Sequence, residues 1–290
     1  MKTLNELFRN NDEMPEEAFE ELRKGFIRPL EDELVGRRLL PIRRLSRSTQ
    51  VFSYDRIKTE PGPATIIAKG AVYPFDEYDI ERITIPIPKF GWAFQIPMED
   101  WEAGIIQNEQ TNWARRRMAE KEDGLIFNGD ADFNIGGLLD FVGNTSASTA
   151  GWSTGTVLQI YDDVRALIAL FLADVVQGPY SMVLHPDQWS DLSKFDTTSQ
   201  RTALQLVSTL VGRVLVSYTI PAGTVLMMRP GPEVAQLGMK EDITITRPRF
   251  DEDTEVWKGK ARAQLIPVIY QQGTVVNQNV AIGTITGAEV

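Results

Sequence analysis

The sequence contains no cysteine. Disulfide frameworks, thiolate metal sites, iron–sulfur clusters and cysteine nucleophiles are therefore excluded. There is one histidine, His185, which removes every multi-histidine metal site and leaves a Ser-His-Asp triad only if that residue serves it. No apolar run reaches the roughly 18 residues that a membrane-spanning helix needs. Residues 1–24 are charged throughout and do not read as a signal peptide, so the expectation is a soluble cytoplasmic chain. Gly129, Gly136 and Gly137 form neither a dinucleotide fingerprint nor a P-loop.

What is present is ordinary globular material. The chain has 290 residues, 42% hydrophobic and 24% charged, enough for one large domain or two modest ones. There are 30 Lys and Arg against 40 Asp and Glu, a net charge of −10, and the deficit is unevenly spread. Residues 1–60 are balanced, so it lies in 61–290. Within the balanced part, residues 35–58 hold Arg37, Arg38, Arg43, Arg44, Arg47, Arg56 and Lys58 against Asp55 alone. Such a stretch is either a set of snorkelling or salt-bridged arginines on a structured arm, or a face that meets nucleic acid or an acidic neighbouring subunit. The acidic chain as a whole argues against a dedicated sequence-specific DNA binder.

The residues that could carry chemistry have plainer uses. His185 precedes Pro186 with no serine motif beside it and reads as structural. Asp130 and Asp132 lack the continuation of a calcium loop and read as turn residues. Glu99 and Asp100 suit the positive start of a helix. Trp92, Trp101 and Trp113 read as core or interface anchors. No catalytic residue, cofactor or metal is expected, and no motif supports an enzyme.

Periodicity predicts a helix over 15–35, with Phe19, Leu22, Phe26, Leu30 and Leu34 on one stripe and a kink or split at Pro29. Residues 39–58 read as extended. The turn Glu60-Pro61-Gly62-Pro63 then predicts a protruding hairpin with a second strand over 64–72. Residues 80–96 read as strand, interrupted or at an edge because Pro86 and Pro88 cannot donate to a ladder. A long helix is expected over 98–128, loops over 129–155 and an amphipathic helix over 156–176. A strand–helix unit at 181–195, a helix at 200–211 and strands at 213–218 and 224–229 complete an α/β lobe. Residues 242–249 and 254–282 return to a β pattern. The apolar hairpin residues would be aggregation-prone if left wet, which points to obligate assembly with the ribbon lying on partners.

In order, the segments LVGRRLLPI (34–42), FSYDRIKTEPGPATIIAKGA (52–71), ITIPIPKFGWAFQIPMEDWEAG (83–104), RRRMAEKEDGLIFNGDADFNIGGLLDF (115–141) and GPYSMVLHPDQWSDL (178–192) resemble a known set. The sequence is similar to shell proteins with the HK97 fold, the fold of tailed-virus major capsid proteins and of encapsulin nanocompartments. The resemblance implies an α+β subunit with an N-terminal arm (1–48), an extended β-hairpin loop or E-loop (49–80), a peripheral domain with a long spine helix (81–151), an α/β axial domain (152–235) and peripheral return strands with a C-terminal extension (236–290). It also implies assembly contacts at Tyr54, Glu60, Pro61, Gly62, Pro63, Ile66 and Ile67, and an inner-face basic arm at Arg37, Arg38, Arg43, Arg44 and Arg47.

The implied partners are further copies of the chain, as pentamers and hexamers of a closed icosahedral shell, and no membrane. A virion would add packaged DNA, a portal and cement or scaffold proteins. The reading placed first is a tailed-virus major capsid protein. The alternative is an encapsulin enclosing cargo enzymes as a cytoplasmic nanocompartment. From a different class comes a soluble enzyme or binding protein whose ribbon merely dimerises, which would need a convergent polar pocket.

Overall fold

Helix α1 (Glu16–Glu33) starts behind Pro15 with Glu16 and Glu17 in its first turn, where carboxylates complement exposed N–H groups. It runs through Pro29 without the expected split, although a proline there withdraws one intrahelical donor and crowds the carbonyl four residues back. The computed structural model describes residues 13–57, 66–67, 69, 80–105, 109–197, 200–271 and 278–288, with the side chains of 28–33 and 57 outside that set. Further along come α2 (Gly36–Leu39), β1 (Ile42–Arg44), β2 (Val51–Ile57), β3 (Ile80–Pro86), β4 (Lys89–Pro97), α3 (Met98–Glu102) and α4 (Glu109–Phe127). Then follow β5 (Val142–Ala147), α5 (Val157–Ala173), β6 (Ser181–Leu184), α6 (Pro186–Leu192), α7 (Ala203–Val207) and β7 (Arg213–Val216). The last longer elements are β8 (Thr224–Met228), β9 (Ala235–Asp251), β10 (Val256–Ile269) and β11 (Asn279–Thr286).

Two sheets carry the fold. The first has the order β1-β9-β10-β4, with β1 parallel to β9 and the other pairs antiparallel. Helices α1 and α4 pack on it around Leu22, Phe26, Phe94, Ile96, Met118 and Trp257. The second has the order β7-β6-β8-β11-β5. Helix α5 lies against its β11–β5 end, burying Ile160, Val164, Leu167 and Phe171. This core runs on without a break into Leu265 and Ile266 of β10.

Three expectations change. The helix over 98–128 is two helices: α3 ends at Glu102, Gly104 just beyond it has φ +77°, and α4 begins at Glu109. The helix over 200–211 shrinks to α7, capped by Thr202 and Gln205. β2 pairs with β3, in register from Val51↔Pro86 to Ile57↔Ile80, and most of the strand expected over 64–72 lies outside the described residues. The local turn signal suggested the nearer partner. The observed register is the one that puts Ile83 and Ile85 on the same face as Tyr54 and Phe52. The return segment also divides: β9 and β10 join the first sheet, whereas β11 joins the second and pairs with β5.

Candidate assembly interface

Strands β2 and β3 form a two-stranded ribbon whose two faces differ. On the inner face Phe52 and Arg56 are buried and Tyr54 is half-buried. The Tyr54 hydroxyl donates to the Ile269 carbonyl at 3.2 Å, and its ring meets Tyr270 edge-on at 5.2 Å. Burial pushes that hydroxyl up to about 12. The Arg43 guanidinium lies over the Phe52 ring at 5.3 Å. The outer face is polar and satisfied across the strands at its middle, between exposed Val51 and Ile80. Ser53 and Thr84 share a hydrogen bond of 3.1 Å, and Arg82 grips Asp55 at 2.9 and 3.3 Å. The hydrogen bond from Arg82 holds the Asp55 carboxyl below its ordinary value.

The base of the ribbon is therefore seated on its own subunit, which corrects the expectation that neither face could be buried without a partner. Ile66 is fully exposed and Ile67 partly so. Glu60, Pro61, Gly62 and Pro63 lie outside the described residues.

The basic stretch separates in space. Arg37 is not a free surface charge: its guanidinium binds Glu122 at 2.5 and 3.0 Å and Asp242 at 2.8 Å. Burial opposes that charge, and the bonds to Glu122 and Asp242 outweigh it, so its pKa stands above the ordinary guanidinium value. Arg56 is buried beneath the ribbon. Arg38, Arg43, Arg44 and Arg47 remain exposed, with Arg43 and Arg44 on the edge strand β1. The Arg38 carbonyl accepts from Arg213 at 3.2 Å.

Arg37 belongs to a clamp that joins the N-terminal arm to α4. Glu122 is fully buried, and Asp123 beside it accepts from the Gly36 N–H at 2.9 Å and the Val35 N–H at 3.2 Å. These are backbone donors at the start of α2. Burial raises Glu122 against the pull of Arg37, and burial raises Asp123 to about 6. The folded state thus holds these protons more tightly than an unfolded chain does. The Asp123 contribution to stability is fully present below its ordinary value near 3.8. It is lost as pH rises through about 6. The expected result is a melting temperature that gains from Asp123 between pH 7 and 5. The variant Asp123→Asn should flatten that slope, and an unchanged slope would show that other groups carry it.

A second buried carboxylate organises the loop ahead of α5. Asp163 accepts from Ser148 Oγ at 2.7 Å, the Thr149 N–H at 3.0 Å, Thr149 Oγ1 at 2.7 Å and Trp152 Nε1 at 3.1 Å. Lys194 reaches the Trp152 and Ser153 carbonyls from the other side. Neither this cluster nor the clamp was anticipated from sequence. The available signal was an acid on a buried stripe: Glu122 shares its helix face with Met118, Leu125 and Ile126, and Asp163 sits next to Val164 and one turn from Ile160.

The residues weighed for catalysis have structural employment. His185 caps α6 by accepting from the Asp187 N–H at 3.3 Å. Asp130 pairs with Lys121 at 2.7 Å and accepts from the Asp132 N–H. Among the described residues no group of three His, Asp or Glu is placed to hold a metal ion. No helix among them is long and apolar enough to cross a membrane.

The subunit thus combines an N-terminal arm clamped to a long helix, a ribbon seated at its base, and an α/β lobe sharing its sheet with a strand from the far end of the chain. The sequence profile of Linocin_M18, described as an encapsulating protein for peroxidase, matches residues 4–254. The chain belongs to this family. Linocin_M18 membership agrees with the likeness to solved shells. The virus-like particle from Pyrococcus furiosus superposes with a TM-score of 0.70 at 16% identity, covering 93% of this chain and 99% of that one. The capsid of Myoviridae phage XM1 gives 0.63 at 13% identity, covering 86% and 89%. The capsid of an empty GTA particle, computed with C5 symmetry, gives 0.61 at 16% identity, covering 87% and 95%. At such identities the likeness is one of fold, and the fold is that of HK97-like capsids. The Linocin_M18 family and these neighbours are structural shell proteins, and this chain is a self-assembling shell protein.

Proposed function

We propose that the protein closes into an icosahedral shell of pentamers and hexamers around a nucleic acid, as the major capsid protein of a tailed virus. The observation that supports this most is the correspondence of 86–87% of the subunit with the capsids of phage XM1 and the GTA particle. The free charges of Arg38, Arg43, Arg44 and Arg47 supply a basic strip suited to a polyanion on the inner wall. In this reading residues 152–235 gather at the five-fold and six-fold centres, and the part of the loop 49–80 beyond the seated ribbon, with Glu60, Pro61, Gly62, Pro63, Ile66 and Ile67, lies over an adjacent subunit, Tyr54 holding its base on its own subunit. Packaged DNA, a portal and scaffold or cement proteins are the further partners, and the assembled form is a virion.

A second reading, a cytoplasmic compartment enclosing cargo enzymes, is favoured by the description of the matched family. Electron microscopy of the eluting particle, with its absorbance ratio and protein content, tests both. Closed particles holding nuclease-protected nucleic acid are expected. Closed particles holding a stoichiometric second protein and no nucleic acid would replace the first reading with the second. Reversing Arg43, Arg44 and Arg47 to Glu should leave particles closed and lower their nucleic acid severalfold, whereas unchanged contents would remove the basic strip from the account.

A further inference from the structure

The inner face of the ribbon carries an enclosed cation. Arg56 is 6% exposed and alternates along β2 with buried Phe52 and half-buried Tyr54. Its Nε is enclosed and meets no hydrogen-bond acceptor among the described residues. No described carboxylate forms an ion pair with it. Asp55, the next residue along, belongs to the outer face, where Arg82 grips it. Glu81 stands directly opposite Arg56 in the register, but it is exposed and is not ion-paired to Arg56. A charge taken out of water without a counter-charge is costly, and folded proteins pair such groups.

Elsewhere in the chain the Nε edge of an arginine takes a carboxylate. Arg37 holds Glu122 through Nε and Nη2 at 2.5 and 3.0 Å, and Arg82 holds Asp55 in the same way at 2.9 and 3.3 Å. Arg262 turns its Nε and Nη2 to one oxygen of Glu241. Two parallel N–H donors on this planar edge fit the two oxygens of a carboxylate. Arg56 differs from Arg38, Arg43, Arg44 and Arg47, which are exposed and open to a mobile polyanion. A guanidinium so enclosed is reached by a side chain that packing presses against it. Its place also favours a neighbour: Arg56 lies one residue before the end of β2, where the seated ribbon gives way to the loop. A neighbouring copy is rich in acids, since the whole net charge of −10 lies in residues 61–290.

We infer that Arg56 receives a carboxylate from a second copy of the chain at the root of the ribbon. The inference rests on the shell reading and deepens it by naming the residue through which neighbouring subunits share an enclosed charge pair. In the separate subunit the guanidinium destabilises the fold. In the shell the same group anchors the contact, and the low dielectric around it strengthens the pair.

The test is Arg56→Met in the full chain, which keeps an unbranched stem and removes the charge. The unassembled subunit should melt at a higher temperature than wild type, because an uncompensated charge is gone. Assembly should need at least about tenfold more protein, because the partner's carboxylate is left without its cation. A residue that only supported the fold would move both quantities in the same direction. Glu81→Gln is the control. If it weakens assembly as much as Arg56→Met, and the double variant no further, Glu81 is the counter-ion and the inference falls. Assembly is compared on nuclease-treated protein, with and without inorganic phosphate. A wild-type advantage that survives both conditions supports a carboxylate. An advantage that needs nucleic acid, or a melting temperature that phosphate raises in wild type and not in Arg56→Met, makes the ligand a phosphate and overturns the inference. Unimpaired assembly of Arg56→Met overturns it and leaves the shell standing. A wild type that stays monomeric at every concentration overturns both.

Discussion

Replacing Asp163 with alanine should destabilise the subunit by about 3–5 kcal/mol, among the largest losses available to a single substitution. The carboxylate is buried and collects four hydrogen bonds from Ser148, Thr149 and Trp152. Without it, the Thr149 N–H and the indole N–H of fully buried Trp152 lose their acceptor. Each orphaned donor is worth about 1–3 kcal/mol. Asparagine should recover little, because its amide places a donor against donors. Denaturant unfolding of unassembled subunits measures the effect. A loss below about 1 kcal/mol would mean that water reaches the 148–152 loop and replaces the carboxylate.

The second large effect belongs to the clamp. Arg37→Ala leaves Glu122 buried beside Asp123 with its only described counter-charge removed, and breaking a buried pair in this way costs about 3–5 kcal/mol. Protonation of Glu122 relieves the penalty. The loss should therefore be smaller at pH 5 than at pH 8, which separates an electrostatic clamp from a packing role. Replacing Arg37 and Glu122 together by apolar residues of similar volume should restore most of the stability. If the double replacement is as unstable as Arg37→Ala, the guanidinium stem and not its charge holds the arm.

These two sites show where reasoning from sequence stops. Helix α5 was legible nearly to its ends, because Val157, Ile160, Val164, Leu167 and Phe171 repeat at the helical period and Thr156 and Gln159 form its capping box. The break after β3 was legible from Pro86 and Pro88. Partners far apart in sequence left no local trace. Arg37 looked like one member of a basic cluster because Glu122, 85 residues away, gives no sign of their contact. The pairing of β2 with β3 was hidden for the same reason: the turn at 60–63 points only to nearby chain, and the buried face shared by Phe52, Tyr54, Ile83 and Ile85 sets the register.

Strand β11 lies between β8 and β5, so β5 reaches the sheet only through a strand made much later in synthesis. Contacts of this kind are slow to form and keep earlier segments waiting. A nascent chain that has not yet extruded residues 279–286 leaves one edge of β8 without its strand and β5 without any. The lobe is then incomplete at the end where α5 packs. Closure of the lobe is thereby tied to the last long strand, so a chain cut short before residue 279 keeps that end of its sheet unzipped.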